Sequence, residues 1–154
     1  MSTLFDKIIN KEIDSWVVYE DQHYLAFLTP FPNTEGLTVV IPKINPGSYI
    51  FDLDDTSYKD LLLVSKKIAK ALERALGVER VALVLEGTGV AHVHVKLFPL
   101  HGISKNKTNV WSLHQEFYPN YVGYLTTAEG PKMSDAQLDR LQEKIKKVFL
   151  ANEN

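Results

Sequence analysis

Gly87-Thr88-Gly89-Val90-Ala91-His92-Val93-His94-Val95-Lys96-Leu97-Phe98-Pro99 carries the reading of the fold. Within Val90 to Phe98, which ends at a proline, apolar and polar residues alternate from Ala91 to Leu97, the pattern of a strand with one buried face. Successive side chains on a strand point to opposite faces, so His92, His94 and Lys96 share one side. Val93, Val95 and Leu97 share the other and are expected in the core. Same-face neighbours on a strand lie roughly 6.5–7 Å apart. Two imidazoles and an ammonium in such a row suit anion binding and proton transfer. Just upstream, Gly87 and Gly89 permit a tight turn whose N–H groups can approach phosphate oxygens.

Working outward, Arg80 to Leu85 reads as the fourth strand and Val90 to Phe98 as the fifth. A long helix precedes them. It is expected to start at Asp55 or Thr56, either of which can cap it, and Leu61, Val64, Ile68, Leu72 and Ala75 follow helical spacing. Gly77 supplies its stop. Trp16 to Glu20 and His23 to Leu28 form a predicted hairpin about Asp21-Gln22. After the loop at 30–36, a third strand runs from Leu37 to Ile41, up to Pro42. Residues 4 to 13 predict a short amphipathic helix through Leu4, Phe5, Ile8, Ile9 and Ile13. Near the end, Ser134 and Gln137 form a capping box for a last helix whose apolar face is Leu138, Leu141, Ile145, Val148 and Phe149. This order, with short connections, predicts an α+β fold: a five-stranded antiparallel sheet with helices packed on one face.

Composition narrows the function classes. The 154 residues are 45% hydrophobic and 23% charged, which fits one globular domain. A net charge of −2 argues against stable nucleic-acid binding, although it leaves room for a local basic patch. With no cysteine, neither disulfides, thiolate zinc sites nor a cysteine nucleophile is possible. Met1 to Asp14 has no signal-peptide core, and no apolar run approaches a membrane span. The expectation is a cytoplasmic protein with no membrane association.

The His92–His94–Lys96 row has more than one reading. A lone strand histidine is ordinarily solvent-facing or a satisfied core residue. Two on one face, beside a lysine and after a glycine turn, make a functional site an equal reading. His-x-His also chelates zinc or iron. Against metal stand Lys96, a poor neighbour for a cation, and the lack of a carboxylate close by in sequence.

The segment His92-Val93-His94-Val95-Lys96-Leu97-Phe98 resembles the His-φ-His-φ-His-φ-φ motif, φ being apolar, of the histidine triad family. Leu4 to Ile13 resembles that family's opening helix. Ala26-Phe27-Leu28 and Gly36-Leu37-Thr38-Val39-Val40-Ile41-Pro42-Lys43 resemble its second and third strands. The resemblance covers about residues 4 to 101. It implies a nucleotide hydrolase or nucleotidyl transferase working at the α-phosphate, with a dinucleoside polyphosphate or related nucleotide as substrate. His94 takes the nucleophile's place and forms a nucleotidyl-histidine intermediate. His92 would orient it or its backbone support, and Lys96 would hold phosphate charge. By position Phe5, Ile8 and Phe27 would wall the base, while Thr29, Asn33, Gly87, Thr88 and Gly89 complete the nucleotide site. For each apolar wall residue, ordinary core packing is an equal reading.

Four positions depart from the family pattern. Lys96 stands for the third histidine, and Leu37 for a histidine before the third strand. Thr29 replaces an acid that often binds ribose hydroxyls, and Thr88 replaces a glutamine. The resemblance further implies a homodimer; the zinc-binding cysteines of some relatives are absent, so no metal is expected, nor any other cofactor. Residues 1–101 are expected to form the nucleotide-binding core, and 102–154 an extension packed on the same domain and ending in a helix. Within that extension Trp111, Phe117, Tyr118, Tyr121 and Tyr124 either cover the site, extend a dimer or form a peripheral layer. Lys105 and Lys107 are further candidates for phosphate charge. The rival function is a non-catalytic nucleotide-binding regulatory module.

Overall fold

The computed structural model describes residues 2–113, 115–123 and 129–151. Helix α1 (Leu4–Ile9) precedes β1 (Trp16–Glu20), β2 (Tyr24–Leu28) and β3 (Thr38–Pro42). A 3-10 turn over Ile50–Asp52 leads into α2 (Asp55–Leu76), followed by β4 (Val81–Val84), β5 (Val95–Pro99) and α3 (Asp135–Leu150). The five strands form one antiparallel sheet in the order β1-β2-β3-β5-β4. Among the described residues, no helix is long and apolar enough to cross a membrane.

Strand alternation divides the core in two. Ala26, Leu28, Val40, Val95 and Leu97 point toward α2 and α3, where Leu61, Ile68, Leu72, Leu138 and Ile145 meet them. Leu25, Phe27, Val39 and Ile41 point the opposite way, onto Phe5 and Ile8 of α1. The helices therefore do not all lie on one face, as the element order suggested. A six-residue helix with two buried residues is enough to close the second face. Helix α1 is also shorter than the run 4–13, because Lys11 turns to φ 61° and ends it.

Other boundaries shift for local reasons. Helix α2 is capped by Asp54, not Asp55 or Thr56: its carboxylate accepts the N–H groups of Thr56 and Ser57. Gly77 ends α2 in the left-handed conformation, as its sequence position implies. The Ser134–Gln137 capping box opens α3. A bulge between Val17 and Tyr19 turns both Val18 and Tyr19 toward the main core. The Gln142 side chain donates to the Val17 carbonyl at 2.7 Å, and Trp16 Nε1 donates to Asp139 at 2.9 Å. Helix α3 thus covers edge strand β1 and satisfies an acceptor there.

The correction with most bearing on function concerns β5, which starts at Val95 rather than Val90. Its last pair with β3 is Val40↔Val95. The next donor on β3 would come from Pro42, which has no N–H. The Pro42 carbonyl instead accepts His92 Nε2–H at 2.8 Å. Residues 90–94 therefore leave the ladder, and the Val93 N–H bonds the Gly47 carbonyl at 2.6 Å. Their alternation nevertheless persists. Val93 is buried in the main core, while His92 and His94 contact Phe5 on the α1 side.

Candidate functional site

On the α1 side of the sheet lies a cleft of about 500 Å³. Phe5, Ile8, Phe27, Leu37 and Val39 form its apolar wall, and Thr88, Gly89, His94 and Lys96 stand at its polar end. Phe5 packs edge-on against Phe27, His92 and His94, with ring centroids 5.7, 5.8 and 5.2 Å away. A single aromatic ring of α1 thus joins the apolar wall to the histidine row.

His94 is 3% exposed. Its Nδ1 lies 2.8 Å from the His92 carbonyl. A carbonyl only accepts, so Nδ1 carries the proton and, in the neutral ring, the lone pair sits on Nε2. Burial pushes the His94 imidazole below the ordinary histidine value. The hydrogen bond to His92 opposes this shift, the Lys96 charge reinforces it, and the Glu86 charge opposes it. The net lowering favours the neutral, nucleophilic ring.

His92 lies behind this surface and does not line the cleft. It is fully buried, with Nε2 donating to Pro42 and Nδ1 3.7 Å from Asp6 Oδ1. Burial lowers its value as well, against the Pro42 hydrogen bond and the Asp6 charge. Asp6 is itself held by the backbone and side chain of Thr3 in the cap of α1. The acid thereby ties α1 to the histidine row.

The remaining sequence candidates separate. Thr29 lines the cleft, and its hydroxyl accepts the Phe31 N–H at 3.3 Å. Gly87 lies outside the lining and shapes the turn: with φ at 69°, a Cβ added there would stand 2.6 Å from the Ser48 carbonyl oxygen. Asn33 is exposed, packs its backbone against Gly130 and is not a lining residue. Lys105 and Lys107 are exposed and also lie outside the lining. Among the described residues no three His, Asp or Glu side chains converge as a metal site. Of the extension, Trp111 and Phe117 are exposed, Tyr121 reaches Glu86, and Tyr124 lies outside the described residues.

No carboxylate adjoins the row in sequence, but the fold brings Glu86 beside it, as it brings Asp6 to His92. Glu86 Oε1 is 3.7 Å from Lys96 Nζ, and its Oε2 accepts the Tyr121 hydroxyl. The signal was present in the strand pattern. Val84 pairs with Lys96, and Glu86, two residues further, continues on the same face. Leu4, Ile13, Trp16, Phe31 and Val90 also line the cleft without having been singled out for the site; they read as ordinary apolar residues.

An antiparallel α+β sheet with a buried histidine pair at the end of an apolar cleft defines a histidine triad architecture. Residues 10–103 match the HIT domain model, and the chain belongs to that family. Protein hit of Bacillus subtilis is 33% identical over 120 residues, covering 75% of this chain and 82% of the relative. An adenosine 5′-monophosphoramidase of Saccharomyces cerevisiae is 33% identical over 102 residues, 62% of this chain and 61% of that protein. Among solved structures, a histidine triad nucleotide-binding protein from Sulfolobus tokodaii superposes with a TM-score of 0.75 at 21% identity. It covers 97% of this chain and 93% of its own, and supports the fold alone.

Proposed function

We propose that this protein is a nucleotide hydrolase or nucleotidyl transferase acting at the α-phosphate of a dinucleoside polyphosphate or related nucleotide. The observation that carries this reading is the His94 tautomer: Nδ1–H bound to the His92 carbonyl, in a ring that burial keeps neutral. His94 Nε2 attacks the α-phosphorus and the leaving group departs. Water then cleaves the nucleotidyl-histidine bond and regenerates the imidazole. Thr88 and Gly89 supply the turn that meets the phosphate, and Phe5, Ile8 and Phe27 the wall that takes the base. Thr29 stands beside the ribose. A relative named as an adenosine 5′-monophosphoramidase supports the reaction class. Residues 1–101 form the nucleotide-binding core in this reading, with 102–154 as its extension.

The second reading is a nucleotide-binding regulatory module of the same fold. Two observations favour it: Leu37 is apolar, and Lys96, in place of the third histidine, faces Glu86. Mass spectrometry of products from a panel of phosphoramidates and dinucleoside polyphosphates, with trapping of nucleotidyl-His94, separates the two. Products together with a labelled His94 support the enzyme. Tight binding without products supports the module.

A further inference from the structure

Glu86 is a charged group beside the row that the proposed reaction leaves unused. Its side chain is 7% exposed, against 20% for Lys96. Oε1 is buried and has no hydrogen-bond partner among the described residues. Lys96 lines the cleft and Glu86 does not, so the carboxylate stands behind the cleft wall that Lys96 forms. Their separation of 3.7 Å exceeds an N–H···O hydrogen bond but is well within Coulombic range. The phosphate end of the cleft therefore holds a nearly neutral pair. Lys105 and Lys107 do not line the cleft, whereas Asp14 and Glu129 do.

A carboxylate shielded from water repels each negative charge placed near Lys96, and the repulsion grows with the ligand's charge. Phosphate groups differ in this respect. A phosphate esterified on both sides carries one charge, whereas a terminal phosphate monoester titrates a second time near pH 6 and approaches two. We propose that Glu86 is a specificity-determining residue that sets this cleft for nucleotides whose phosphate chain is short and esterified at its far end. This rests on the nucleotide reading given above. Lys96 meets the chain beyond the attacked phosphate, and Glu86 limits how much charge that position accepts.

The test compares adenosine diphosphate with its β-methyl ester, which removes one charge at little change in size. Binding of both, and of adenosine monophosphate, is measured by calorimetry near pH 7.5 on the intact protein and on Glu86→Gln. The wild type is expected to bind the ester more tightly than the diphosphate. In Glu86→Gln that preference falls by about fivefold or more, because one repelling charge is gone. An unchanged preference in the folded variant, or a wild type that prefers the diphosphate, overturns the role of Glu86 and leaves the nucleotide reading standing. If none of the three binds the wild type, the nucleotide reading fails first. Should Glu86→Gln not fold, Tyr121→Phe reaches the same carboxylate from an exposed position. Removing that donor leaves the Glu86 charge less shielded, so the preference for the ester rises about twofold. No change in that ratio overturns the proposal.

Discussion

His94 Nδ1 donates to the main-chain carbonyl of His92 at 2.8 Å, and His92 in turn donates through Nε2 to Pro42. The backbone of one histidine thus orients the ring of the other, while its side chain ties that backbone to β3. Both rings are buried and both are shifted toward the neutral form. This chain of contacts underlies the first two expectations.

His94→Ala is expected to abolish turnover while nucleotide binding largely survives. Loss of a covalent nucleophile removes several orders of magnitude in rate, far more than loss of one cleft contact. Steady-state kinetics and calorimetry on the same variant measure both quantities. A residual rate above about a tenth of wild type would exclude His94 as the nucleophile.

Acid should inactivate and destabilise together. His92 and His94 have folded values below the ordinary 6.5, whereas the unfolded chain returns them to it. Below that value the unfolded chain binds protons that the folded one refuses, so stability falls with falling pH. The stabilisation is fully present above pH 6.5 and is lost as pH drops through the lowered folded values. Asp6, Asp54 and Glu20, also lowered, add losses of the same sign at more acid pH. Thermal melts between pH 7.5 and 5 should slope less in His92→Asn than in wild type. Parallel slopes would place the effect elsewhere.

Lys96→His tests the leaving-group side of the site. A lysine ammonium ordinarily gives up its proton about four pH units above an imidazolium, so it is a poor proton donor near neutrality. Substrates with good leaving groups, such as a phosphate chain, should therefore be handled better than phosphoramidates, whose amine needs protonation. The substitution is expected to raise kcat/KM for a phosphoramidate more than for a dinucleoside polyphosphate. Equal scaling of both would reduce Lys96 to a binding contact.

Gly87→Ala should destabilise the fold and slow turnover. The residue has φ of 69°, and a Cβ there meets the Ser48 carbonyl oxygen at 2.6 Å. A non-glycine residue in this conformation, with a backbone clash that cannot relax by rotamer, costs about 1–3 kcal/mol. Denaturant unfolding reads the loss. A stability within about 0.5 kcal/mol of wild type would show that the turn adapts freely.

Sedimentation velocity at micromolar concentration is expected to give a species of two chains. The family resemblance motivates this, and Trp111, Leu113 and Phe117 are 83%, 97% and 90% exposed in the single chain, apolar surface that a partner can cover. A monomer under these conditions counts against the dimer.

Much of this molecule is written in local sequence. Alternation placed Val93, Val95 and Leu97 in the core and His92, His94 and Lys96 opposite, even where the ladder stops short of them. Helical spacing marked the buried face of α2, and Gly77 and the Ser134–Gln137 pair marked two helix ends, because each depends on residues within one turn. Tertiary structure decided what depends on register between distant elements. Pro42 cut β5 short by withholding a donor from a neighbouring strand. The β4–β5 pairing brought Glu86 to Lys96, and packing on the second face brought Asp6 to His92. The electrostatic setting of the site follows from these pairings, since sequence alone shows Lys96 only as a cation, whereas the fold sets a buried carboxylate 3.7 Å from it.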